Sequence, residues 1–61
     1  MYRRLSRLLR DAGCRIERQG KGSHEIWYSP VTGRTFSVPR TIKKTTTANG
    51  ILAQAGLPKA F

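Results

Sequence analysis

Apolar residues recur at helical spacing along the first dozen positions. Tyr2, Leu5, Leu8, Leu9 and Ala12 line one face of a helix predicted over residues 2–12, and Arg3, Arg7 and Arg10 share the opposite face. Gly13 follows as the stop, at the position where a left-handed residue closes a helix. From Cys14 the period changes to two. Cys14, Ile16 and Arg18 alternate with Arg15 and Glu17 in a short first strand. A glycine-rich connection, Gln19-Gly20-Lys21-Gly22-Ser23, leads to a second strand from His24 to Ser29, rich in aromatic and β-branched residues. Pro30-Val31-Thr32-Gly33 reads as a turn, and residues 34–38 alternate again as a third strand closed by Pro39. Ile16, Ile26, Tyr28, Phe36 and Val38 are expected to share the core face of the sheet. Glu25, Trp27, Thr35 and Ser37 are then expected to look away from it.

After a basic, polar loop from Arg40 to Thr45, a second helix is predicted, with Thr46 or Thr47 as its N-cap. Ala48, Ile51, Leu52 and Ala55 form its apolar stripe. Gly50 is costly in a helix interior, by about 1 kcal/mol against Ala, and is read as allowing a close approach to a neighbour. Gly56 ends the helix, and Leu57 folds back on it before Pro58. The expected architecture is α+β: helix, three antiparallel strands, helix, with both helices covering one face of the sheet so that every apolar stripe is buried.

Composition narrows the possibilities. Sixty-one residues allow a single small domain, 1–61, with a thin core. Cys14 stands alone, so there is no disulfide framework, and one Cys with one His cannot fill a structural zinc site. No metal or cofactor is expected. There is no apolar run long enough to span a bilayer and no apolar segment behind the basic N-terminus, so no membrane association and a cytoplasmic location are expected. Twelve Lys and Arg against three acids give a net charge of +9, the mark of a domain that meets a polyanion. Nucleic acid leads, ahead of an anionic membrane surface and an acidic protein. The arginine stripe of the first helix is open to two readings, a ridge that contacts phosphates or simply the wet side of the helix.

One residue suits acid–base chemistry. His24 is the only histidine, and it follows Gly20-Lys21-Gly22-Ser23. Backbone N–H groups in such a loop can cradle a phosphate, and Lys21 adds a charge. An imidazole titrates near neutrality, so it can act as base and then as acid. A His beside a phosphate cradle is what RNA cleavage without metal requires. The base takes the 2′-hydroxyl proton, the freed oxygen attacks phosphorus, and cations steady the added charge. The plainer reading is that His24 starts a strand and packs over Ile26 or Tyr28. Ser23 is not its partner, because neighbours on a strand face opposite ways. Asp11, Glu17 and Glu25 are too scattered for a carboxylate metal site, and the glycines match no nucleotide-binding fingerprint. Cys14 reads as a small apolar residue. Trp27, expected on the open sheet face, is suited to stacking on a base, to anchoring a protein partner, or to covering strand edges.

Taken together, the pattern resembles the HicA-type toxins of bacterial type II toxin–antitoxin systems, small mRNA interferases. The residues that carry the resemblance are the first helix ending in Ala12-Gly13, Gly22-Ser23-His24 opening the second strand, Val38-Pro39-Arg40 closing the third, and Ile51-Leu52-Ala53-Gln54-Ala55-Gly56-Leu57 near the C-terminus. The resemblance spans nearly the whole chain. It implies a fold similar to the double-stranded RNA-binding domain, His24 as the catalytic residue of an endoribonuclease acting on mRNA, and a HicB-type antitoxin that covers the active site in a hetero-oligomeric complex. Many members carry a second His after the Pro-Arg, where this chain has Thr41. Either His24 then serves as both base and acid, or water protonates the leaving oxygen. Lys21, Arg40 and Lys43 are suited to stabilising charge, because Lys and Arg hold their protons too tightly to be good acids. The expected RNA and phosphate contacts are Lys21, Gly22, Ser23, Arg40, Lys43, Lys44 and the Arg3, Arg7, Arg10 stripe. The rival functions are a double-stranded RNA-binding module without catalysis and a basic protein-interaction subunit.

Overall fold

A computed structural model describes all residues, Met1–Phe61. Helix α1 spans Tyr2–Asp11, strands β1, β2 and β3 span Arg15–Gln19, His24–Ser29 and Arg34–Pro39, and helix α2 spans Thr45–Gln54. The strands form one antiparallel sheet in the order β1-β2-β3. This is the expected α+β arrangement, consistent with likeness to the double-stranded RNA-binding domain. Leu5 and Leu9 of α1 and Ala48, Ile51 and Leu52 of α2 are buried with Trp27, Phe36 and Val38 of the sheet. Cys14 joins this core as a free, buried thiol. No helix is long and apolar enough to cross a membrane.

Both helices stop on a glycine. Gly13 and Gly56 take φ of +91° and +82°, and the next residue's N–H reaches back to a helix carbonyl, Cys14 to Leu9 at 2.9 Å and Leu57 to Leu52 at 2.8 Å. At the start of α2 the expectation fails. The helix begins at Thr45 with Lys44 in the capping position and no side-chain cap, so neither Thr46 nor Thr47 is the N-cap. Gly50 also differs from expectation: it is exposed, with nothing near the space a Cβ would fill, so it permits no close approach.

The larger correction concerns the sheet faces. The β2–β3 turn occupies Pro30 to Gly33, so Ser29 pairs with Arg34, Trp27 with Phe36 and Glu25 with Val38. Directly opposed residues point to the same face. The apolar row of β3, Phe36 and Val38, therefore shares its side with Trp27 and Glu25. Ile26 and Tyr28 lie opposite Ser37 and Thr35 on the outer face, half-buried. Ile16 is 37% exposed at the edge strand, next to a bulge between Ile16 and Arg18. The expected core set of Ile16, Ile26 and Tyr28 is thus displaced by Trp27, which is 0% exposed, with Glu25 and Ser29 buried beside it.

Each polar member of this inward row has a partner. Glu25 Oε1 accepts hydrogen bonds from Tyr2 Oη at 2.5 Å and Trp27 Nε1 at 3.2 Å. Ser29 Oγ donates to the carbonyl of Ala55 at 2.7 Å, tying the sheet to the end of α2, and accepts from Val31 N–H at 3.2 Å. No buried side-chain polar atom lacks a partner.

Candidate active site at the rim of the sheet

His24 opens β2 on the outer face, where its ring is exposed. Its Nδ1 lies 3.0 Å from Ser37 Oγ on the neighbouring strand. His24 pairs with Pro39, so Ser37 is the diagonal neighbour on the same face, within reach across the ladder. A serine hydroxyl both donates and accepts, so it holds the ring in either neutral tautomer. When Nδ1–H donates to Ser37, Nε2 carries the lone pair and is free for chemistry. The ring lies outside the core and shares the outer face with Ile26 and Tyr28, the two residues over which it was expected to pack in the plainer reading.

The backbone around His24 is closely held. Its N–H donates to the carbonyl of Lys21 at 3.0 Å, and its carbonyl accepts from Gly20 N–H at 3.0 Å and Gln19 Nε2 at 3.1 Å. Gly20 packs so near that a Cβ there would sit 3.2 Å from the His24 carbonyl oxygen. Gly22 takes φ +59° in open space at the loop tip. On the other side, Arg40 N–H donates to the carbonyl of Ser23 at 2.9 Å, carrying the β2–β3 pairing past Pro39. Loop 20–23 and the residue after β3 therefore meet at the backbone where His24 enters β2.

Arg40 also faces the buried carboxylate. Its Nε is 4.0 Å from Glu25 Oε2, and its side chain is largely exposed. Burial pushes the Tyr2 hydroxyl above the ordinary tyrosine pKa. The hydrogen bond to Glu25 and that carboxylate's charge add to the rise, and Arg40 and Arg10 oppose it. Glu25 thus ties the N-terminal end of α1 to the strand that carries His24 and to Arg40.

The structure gathers some of the expected site residues and separates others. Lys21 is bonded to the His24 backbone and Arg40 to that of Ser23, Gly22 lies between Lys21 and Ser23 at the loop tip, and all four are exposed. Lys43 and Lys44 follow in the exposed loop that is anchored by buried Ile42. Arg3 and Arg7 are exposed on the side of α1 away from the core, so the helix layer and the sheet stand between them and the His24 ring. Arg10 lies over the Trp27 ring, 5.2 Å from its centre. Trp27 itself is fully buried, so it offers no surface for a base or an antitoxin, and the expected contact role is withdrawn. Sequence reasoning missed Ser37, the one side chain that holds the imidazole. Its signal was the turn length, which puts His24 and Ser37 on one face.

Among known proteins, a family model described as the HicA toxin of bacterial toxin–antitoxin systems matches residues 2–57 of this chain. No curated protein and no solved structure matches significantly.

Proposed function

We propose that this chain, which belongs to the HicA toxin family of bacterial toxin–antitoxin systems, is a metal-independent endoribonuclease that cuts cytoplasmic mRNA through His24. The observation that carries the reading is the imidazole at the sheet rim, exposed, with Nδ1 3.0 Å from Ser37 Oγ and Nε2 left free beside a cationic glycine loop.

In the proposed reaction, Nε2 takes the proton of a ribose 2′-hydroxyl. The 2′-oxygen bonds to the adjacent phosphorus as the bond from phosphorus to the 5′-oxygen breaks. The imidazolium returns its proton to that leaving oxygen, which fits Thr41 standing where many relatives have a second His. The products are a 2′,3′-cyclic phosphate and a 5′-hydroxyl, and no water is consumed. In this reading Lys21, Arg40 and the backbone N–H groups of Gly22 and Ser23 stabilise the charge added to the phosphoryl oxygens. Lys43, Lys44 and the Arg3, Arg7, Arg10 stripe add to the field that draws RNA in. A HicB-type antitoxin neutralises the toxin by covering this rim with acidic side chains.

The test is expression without antitoxin, followed by incubation of the purified protein with RNA in EDTA. The parent arrests growth and leaves cyclic-phosphate ends. His24→Ala loses about 10²–10⁴ in rate and keeps its circular dichroism spectrum. A folded His24→Ala variant that cuts RNA at the parental rate ends the proposal. A parent that binds RNA and never cuts it favours the non-catalytic RNA-binding module.

A further inference from the structure

The outer face of the sheet has no helix over it, and its composition is unusual for an uncovered surface. Besides His24 and Ser37 it carries Ile26 and Tyr28, both half-buried, at alternate positions of β2. Arg15 pairs with Tyr28 and Arg18 with Ile26, so both guanidinium groups belong to the same face. Arg15 lies on the Tyr28 ring, 4.6 Å from its centre. Of the three acids, Glu25 is buried on the other face, Asp11 is on α1, and Glu17 sits in the bulge of β1. From His24 to Tyr28 the strand runs about 13 Å.

We infer that this face is a platform for single-stranded RNA, running from Tyr28 along β2 to His24. The inference rests on the nuclease reading for its direction and extends it to substrate class. Three properties select the ligand. The face offers an aromatic ring and an apolar neighbour on which unpaired bases lie flat, as on other sheet platforms that read splayed bases. Arg15 and Arg18 flank these residues and neutralise phosphates. The track is continuous with the imidazole, so a strand lying on it delivers a ribose and its phosphate to Nε2. A duplex keeps its bases stacked inside and shows the ring only backbone. When a base takes the Tyr28 ring, the Arg15 guanidinium moves to a phosphate or stacks on the base.

The experiment uses the full-length His24→Ala protein, which cannot consume its ligand, with a labelled single-stranded oligoribonucleotide and the same sequence as a duplex. The single strand binds more tightly. Tyr28→Ala weakens it about tenfold, Tyr28→Phe binds as the parent does, and Arg15→Ala and Arg18→Ala each reduce the salt slope by about 1. Arg3→Ala and Arg7→Ala leave the preference for single strand unchanged. Emission from buried Trp27 reports that each variant is folded. Unchanged affinity in folded Tyr28→Ala overturns the inference, as does tighter duplex binding lost with the α1 arginines. A Tyr28→Ala effect confined to antitoxin affinity also overturns it and gives the face to the antitoxin. Cleavage by the parent is scored separately. If it cuts RNA and the platform fails, only the inference falls. If the platform binds and nothing is cut, only the nuclease reading falls.

Discussion

Strand β2 carries two rows of side chains with opposite fates. Glu25, Trp27 and Ser29 face the helices and are buried, whereas His24, Ile26 and Tyr28 face outward and are exposed or half-buried. By hydrophobicity alone the second row belongs inside. The first row goes in because it brings the largest apolar side chain, Trp27, and because both of its polar members find partners there. Tyr2, Trp27 and Arg40 surround the Glu25 carboxylate, and the end of α2 accepts from Ser29. The outer row is left free to work on a ligand. In a domain only 15 Å thick in its shortest dimension, one strand supplies both the core and the candidate site.

That contrast can be broken most directly at Trp27. Trp27→Ala removes the largest buried side chain and is expected to cost about 3–5 kcal/mol, enough to leave so small a domain largely unfolded in a urea titration. A variant as stable as the parent would mean that the rows are assigned the wrong way round. Glu25→Ala comes next. It strands the Trp27 N–H and the Tyr2 hydroxyl and should cost about 1–3 kcal/mol, whereas Glu25→Gln, which keeps an acceptor, should cost less in the same titration.

On the outer row the effects move from stability to activity. Ser37→Ala frees the imidazole and should lower kcat about tenfold, roughly 1.4 kcal/mol, with KM and the unfolding midpoint little changed. Ser37→Thr, which keeps the hydroxyl, should restore the rate, and a loss shared equally by Thr and Ala would point to packing instead of positioning.

The smallest effect sharpens the inward row through pH. Tyr2→Phe should cost about 1 kcal/mol near neutrality through the lost hydrogen bond. The Tyr2 pKa is raised in the folded chain, so below the ordinary tyrosine value of about 10 both states hold the proton and the difference is constant. Above it the unfolded chain loses the proton first, and stability falls as pH climbs through the raised folded value. The gap between parent and Phe variant should therefore narrow at alkaline pH. A gap that widened there would show that Tyr2 is not held in its neutral form.

Much of the fold and part of the site were legible in the residues. Leucines at helical spacing, glycines at helix ends and alternating strands depend on local geometry, and α1, β2 and the two glycine stops appear where those signals put them. His24 was legible as the lone histidine after a glycine loop. The faces were misread because a period of two defines two rows without saying which is inside. The loop from Pro30 to Gly33 held the correction: with Ser29 opposite Arg34, odd positions of β2 meet even positions of β3. Applied to residues 24–39, that parity sends Trp27 inward with Phe36 and puts Ser37 beside His24. No comparable rule reaches the partners of Glu25, since Tyr2 and Arg40 lie 23 and 15 positions away along the chain.

The sequence by itself determined the order of elements, where the helices end, the cationic character of the surface and the one residue equipped for acid–base work, because each follows from interactions between near neighbours or from composition alone. Only the tertiary structure decided that a buried carboxylate is acceptable beneath the candidate site, where Tyr2, Trp27 and Arg40 meet Glu25, and that Ser29 is tied to the end of α2. These depend on polar groups from separate elements converging at one point, and burial of a polar side chain is tolerable only where such partners meet it.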